Sequence, residues 1–131
     1  MTETVSTEPT VEYRNPTTAF DTDGHLLLRH CPPCDRWYPS WLDFCSTDLH
    51  HELVWRQASG AGRLFSWVTY HKAYDLPRAL PVPYTVGLVV LAEGPRAVGR
   101  VLDPEVLARD LPVTLVPDRE GGHVYPAWRP A

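Results

Sequence analysis

Pro83-Tyr84-Thr85-Val86-Gly87-Leu88-Val89-Val90-Leu91-Ala92-Glu93-Gly94-Pro95-Arg96 is the stretch that decides the fold. Its β-branched and aromatic residues predict a strand over 84–92, and Glu93-Gly94-Pro95 turns the chain back. Downstream, 96–102 reads as a further strand. Asp103-Pro104-Glu105 then supplies a cap, a first-turn proline and an acid at the dipole's positive end, which predicts a short helix to about residue 109. Leu111-Pro112 ends it, 113–116 is a fourth strand, Glu120-Gly121-Gly122 makes a hairpin turn, and 123–128 is the fifth strand. Upstream, Pro77, Pro81 and Pro83 remove ladder donors and set off a long first strand over 63–74. That strand offers Leu64, Val68 and Tyr70 on one face and Phe65, Trp67 and Thr69 on the other.

Strand-strand-strand-helix-strand-strand is the order of an OB-fold, a five-stranded Greek-key barrel, here expected over residues 52–131. Before it, the apolar run Leu26-Leu27-Leu28 feeds Cys31-Pro32-Pro33-Cys34, and after ten intervening residues stands Cys45-Ser46-Thr47-Asp48. Two knuckles at this spacing lay out a zinc ribbon over 19–51, with Asp48 where a fourth cysteine would complete the ligand set. Three thiolates and a carboxylate carry the same formal charge as four thiolates. His30, His50 and His51 are alternative fourth donors, and Trp37, Tyr38, Trp41 and Phe44 offer a small apolar core for a ribbon without metal. Zinc held here would be structural, since ligation worth roughly 10 kcal/mol rivals the folding free energy of so small a module. Residues 1–18 are polar and are expected to form a disordered tail.

Composition sets outer bounds. With 131 residues, 8 Gly and 14 Pro, there is little room for a helical bundle, and 44% hydrophobic against 21% charged residues fits a folded domain. The formal charge is −4, from 12 basic against 16 acidic side chains, and 11 of the 12 cations are Arg. No basic run is present to track phosphates, which argues against nucleic acid as a partner. No window is apolar over the roughly 20 residues a bilayer needs, so no membrane partner is expected and the location is expected to be cytoplasmic. Three cysteines, an odd number, suit thiolate ligands in a reducing compartment better than a disulfide framework.

Nothing in the sequence assembles a catalytic constellation. Ser59-Gly60-Ala61-Gly62 runs into a strand and reads as a turn, whereas phosphate cradles open helices. Ser66, His71 and Asp75 lie too close along one strand to converge as a triad. The aromatics Phe65, Trp67, Tyr70, Tyr74 and Tyr84 cluster about the first barrel strand and the loop after it, the surface OB-folds use for oligonucleotides. With no basic groove beside them they read as core or as a protein-protein surface, to which Tyr125 and Trp128 at the C-terminus are added.

Five stretches carry a resemblance to a known family. They are Leu27-Leu28-Arg29-His30-Cys31-x-x-Cys34; Cys45-Ser46-Thr47-Asp48-Leu49; Ser59-Gly60-x-Gly62-x-x-x-Ser66-Trp67; residues 83–96 as quoted above; and Pro126-Ala127-Trp128-Arg129-Pro130. The chain resembles the acyl-CoA-associated OB-fold proteins with an N-terminal rubredoxin-like zinc ribbon, known as domain of unknown function 35. It looks most like the small subunit of steroid side-chain-cleaving aldolases. The family usually has a fourth cysteine where this chain has Asp48. The resemblance implies a non-catalytic accessory subunit of a thiolase-superfamily enzyme, a retro-aldolase or a thiolase. Its partner would be a thiolase-fold catalytic subunit that handles the acyl-CoA and is stabilised and shaped by the small one. Two other readings stand beside it: a single-stranded nucleic-acid-binding module, and a stand-alone acyl-CoA-binding protein.

Overall fold

A computed structural model describes residues 8–14, 18–47, 52–73 and 80–131. Ten strands follow in order: β1 (Tyr13–Arg14), β2 (Ala19–Phe20), β3 (Leu26–Cys31), β4 (Arg36–Tyr38), β5 (Val54–Gln57), β6 (Ala61–Tyr70), β7 (Tyr84–Leu91), β8 (Arg96–Val101), β9 (Pro112–Glu120) and β10 (His123–Pro130). The first five form one sheet and the last five a closed barrel in the order β10-β8-β7-β6-β9. This is the mostly-β, five-stranded barrel expected from the turn chemistry.

Four of the five barrel strands fall near the positions read from sequence, although β6 starts two residues before the expected 63 and ends at Tyr70 rather than 74. β9 is the exception, running nine residues where four were expected. From Val113 onward it is held by antiparallel pairing to β10, from His123 opposite Glu120 to Pro130 opposite Val113. The short helix after β8 is a single 3₁₀ turn, Pro104–Val106, with no buried residue. Asp103 takes a left-handed conformation, φ 54°, and makes no side-chain cap bond. Without a cap or an apolar face to bury, the segment has nothing to offset helix nucleation.

The alternation expected along β6 is broken by a bulge. Leu64 pairs with Val89 and Ser66 with Leu88, so Phe65 is the extra residue. The phase shifts there: Leu64 points into the barrel, Trp67 and Thr69 share the inward side with Gly87 and Thr85, and Ser66 and Val68 turn outward. Close approach of β8 to β10 depends on Gly99, where a Cβ would lie 2.6 Å from the Pro126 carbonyl oxygen and 2.8 Å from Trp128 Nε1.

In the N-terminal sheet β3 is central, with β2 and β4 sharing one edge and β5 on the other. β5 lies in the stretch expected to open the barrel domain, yet its register, Leu27 opposite Gln57 through His30 opposite Val54, puts it in the ribbon sheet. Phe20, Leu26 and Leu28 join Leu64, Val89, Val101, Val113, Val124 and Trp128 in one buried cluster. Ribbon and barrel therefore share a core. The expected disordered tail is also partly built in: Tyr13–Arg14 pair with Ala19–Phe20, and Glu8 Oε1 accepts the Trp55 N–H at 2.7 Å. Among the described residues, no helix is long and apolar enough to cross a membrane.

Candidate functional site

Cys31 ends β3, Cys34 sits in the turn that follows, and Cys45 lies just after an isolated bridge between Phe44 and Glu52. The turn is tight: Asp35 donates its N–H to the Cys31 carbonyl at 2.8 Å and adopts φ 52°. The three sulfurs lie within 4.8 Å of one another, and no disulfide joins them. Cys31 and Cys45 are fully buried, with Tyr38, Leu53 and Leu42 packed around them.

This donor set fits a metal ion. Cys34 and Cys45 Sγ are 3.8 Å apart, and a tetrahedral ion with bonds of about 2.3 Å to sulfur sets its thiolates at about that spacing. Hydrogen bonding to Cys31 and Cys45, with a smaller contribution from burial, pushes the Cys34 thiol up to about 11. A metal entering the site must displace protons. Asp48, His50 and His51 fall outside the described residues. His30 does not join the sulfurs. It neighbours Cys31 on an extended strand, so its ring points to the opposite face, where Nε2 lies 2.9 Å from Asp35 Oδ1 and the ring meets Trp37 edge-on.

Two contributors were not singled out as site residues from the sequence. The Tyr38 hydroxyl lies 3.4 Å from Cys45 Sγ and accepts a hydrogen bond from Ser46 Oγ at 3.2 Å. Arg29 staples the second knuckle. Its Nε donates to the Leu42 carbonyl at 3.0 Å, one NH group reaches the Leu53 carbonyl at 3.3 Å, and the other pairs with Asp43 at 3.1 Å. The guanidinium also lies over the Trp55 ring, 4.1 Å from its centroid. A single Arg in an otherwise apolar run, Leu26-Leu27-Leu28-Arg29, was the available signal.

The aromatic candidates separate by burial. Phe65 and Trp67 are 36% and 38% exposed. Tyr84 is buried against Tyr70, with ring centroids 5.0 Å apart, and Tyr125 is half-buried beside His123. Trp128, expected at a partner surface, is fully buried in the barrel core because β10 turns it inward between β8 and β9. Tyr74 falls outside the described residues. Trp41 and Phe44, at 56% and 51% exposed, stand on the surface of the ribbon and do not form the core expected for a metal-free module.

Ribbon, cysteine cluster and barrel together define a class: a two-part protein with a candidate metal centre beside an OB-fold. Within that class, residues 55–118 match the family described as the C-terminal OB-fold domain of ChsH2. A chain of the solved structure described as the Ltp2-ChsH2(DUF35) aldolase is 26% identical, with a TM-score of 0.69 over 81% of this chain and 84% of that one. The resemblance read from the sequence thus holds in the three-dimensional fold. No curated protein matches the chain.

Proposed function

We propose that this chain is the small accessory subunit of a carbon-carbon cleaving aldolase of the thiolase superfamily, acting in the cytoplasm on an acyl-CoA bound by its larger partner. The observation that carries the reading is the likeness over four-fifths of both chains to a chain of the Ltp2-ChsH2(DUF35) aldolase, supported by the ChsH2-type match over residues 55–118. Chemistry would reside in the partner. This chain's part is to present a rigid surface, with Phe65 and Trp67 as candidate contacts. A steroid side chain as the acyl group is the substrate class in this reading.

Cys31, Cys34 and Cys45 would hold a structural zinc ion, with Asp48 as the fourth ligand. The ion would cross-link the two knuckles. The chain's own residues bury the sulfurs, and Tyr38 hydrogen-bonds one of them. The test is to purify the tagged chain from its own cells, size the complex and identify what accompanies it by mass spectrometry. A stoichiometric thiolase-fold subunit with aldolase activity is expected. A chain that emerges alone, with no such subunit, overturns the reading.

A further inference from the structure

β7 has the sequence of a strand buried on both faces, yet only one face is fully buried and the other is half-exposed. Val89 and Leu91 lie in the barrel core, with Thr85 and Gly87 on the same side. Val86, Leu88 and Val90 alternate with them and face out. Unbroken aliphatic strands of this kind are characteristic of sheets with a second layer packed against them. Strand pairing extends the outward set across both neighbours. Val68, Val86 and Arg100 form one row, Ser66, Leu88 and Val98 the next, and Arg63, Val90 and Arg96 the third. Directly opposed residues share a side of the sheet, so these rows make one continuous surface. Val68 and Val98 are more than half exposed.

The bulge places Phe65 beside the third row, its ring between the guanidinium groups of Arg96 and Arg109 at 4.9 and 5.1 Å from the centroid. A groove of about 670 Å³, lined in part by Arg63, Phe65, Val90 and Pro112, opens there. Among the described residues, none of Arg63, Arg96, Arg100 and Arg109 has a carboxylate partner. The net charge of the chain is nonetheless −4. An aliphatic centre edged by unneutralised cations complements a protein surface that is apolar in the middle and carries carboxylates at its rim. A second copy docked by two-fold symmetry would set Arg against Arg. A nucleic-acid strand would find branched aliphatics where it needs stacking platforms.

Resting on the reading of the chain as an aldolase's small subunit, we propose that the outward face of β6, β7 and β8 is the seat of the large subunit, which meets it with an apolar patch edged by Asp and Glu. The probe is the thiolase-fold subunit that the purification proposed above is expected to recover, co-expressed with this chain, with complex formation followed by gel filtration and titration calorimetry. Val98→Glu is expected to weaken the complex by roughly 100-fold or more. Arg96→Glu combined with Arg100→Glu should slow association and flatten its salt dependence. Both variants should melt close to the wild type, because Val98 and Arg96 are exposed and the half-buried Arg100 lies on the same outward face. Trp41→Ser, on the ribbon surface, should bind unchanged. If Val98→Glu and the double Arg variant bind as tightly as the wild type, the proposal fails and the subunit reading stands. If the wild type forms no complex, both fail. A wild-type dimer of this chain that Val98→Glu dissociates assigns the face to a second copy and overturns the proposal.

Discussion

Tyr38 makes the ribbon's sulfur cluster more than a set of three thiols, because its hydroxyl bridges Ser46 Oγ and Cys45 Sγ. Partners of this kind orient ligands and set their basicity. Tyr38→Phe is therefore expected to weaken binding of the proposed zinc about 10-fold, measured by competition with a chromophoric chelator, while the fold is retained. At Gly99 the constraint is space. A methyl group there meets the backbone of β10, which cannot give way as a side chain tip would, so Gly99→Ala should cost about 1–3 kcal/mol in urea unfolding. Asp21 gives a pH effect. Burial pushes its carboxyl up, but the backbone N–H, ring and charge of His25, with the Asp23 N–H, outweigh this and hold it below the ordinary carboxylate value. A depressed folded-state value stabilises above the unfolded pKa, and that stabilisation is lost as pH falls through the folded one. Asp21→Asn should therefore lower the urea midpoint at neutral pH, and the difference from wild type should close in acid. At this scale the cysteines were legible because their spacing is local. The exclusion of His30 from the site rests on which face of β3 it takes, which the strand's pairing decides.

Among the elements, the barrel strands were the most readable, since Pro77, Pro81, Glu93-Gly94-Pro95 and Gly121-Gly122 punctuate the chain by local chemistry. The bulge at Phe65 was not readable. Nothing in Leu64-Phe65-Ser66-Trp67 announces an unpaired residue, and the shift appears only against the register of β7. The helix after β8 shrank to a single turn: cap-type residues are present, but Asp103 takes a left-handed conformation and makes no cap bond. For the ribbon, a strong chelator that removes the proposed zinc should strip hydrogen-exchange protection from β3 and β4 first, leaving β6, β7 and β8 protected. Cys45→Ala should reproduce this with zinc present. A Cys45→Ala protein that keeps its zinc and its ribbon protection would show that the cluster is not the metal's seat.

Across the whole molecule, one core joins the two parts, and Trp128 fills its centre with no exposed surface. Trp128→Ala should cost about 3–5 kcal/mol, read as a lowered melting temperature, and should loosen the ribbon sheet along with the barrel because Phe20, Leu26 and Leu28 belong to the same cluster. The sequence by itself determined the strand series, the spacing that gathers the three thiols and the family likeness, because turns, alternation and cysteine spacing are properties of neighbours along the chain. Only the tertiary structure decided that β5 belongs to the ribbon sheet, that Trp128 is core while Phe65 and Trp67 stay more than a third exposed, and that four arginines gather around a half-exposed aliphatic face. Each of these depends on which residues far apart in sequence are brought side by side, and strand register and barrel closure settle that.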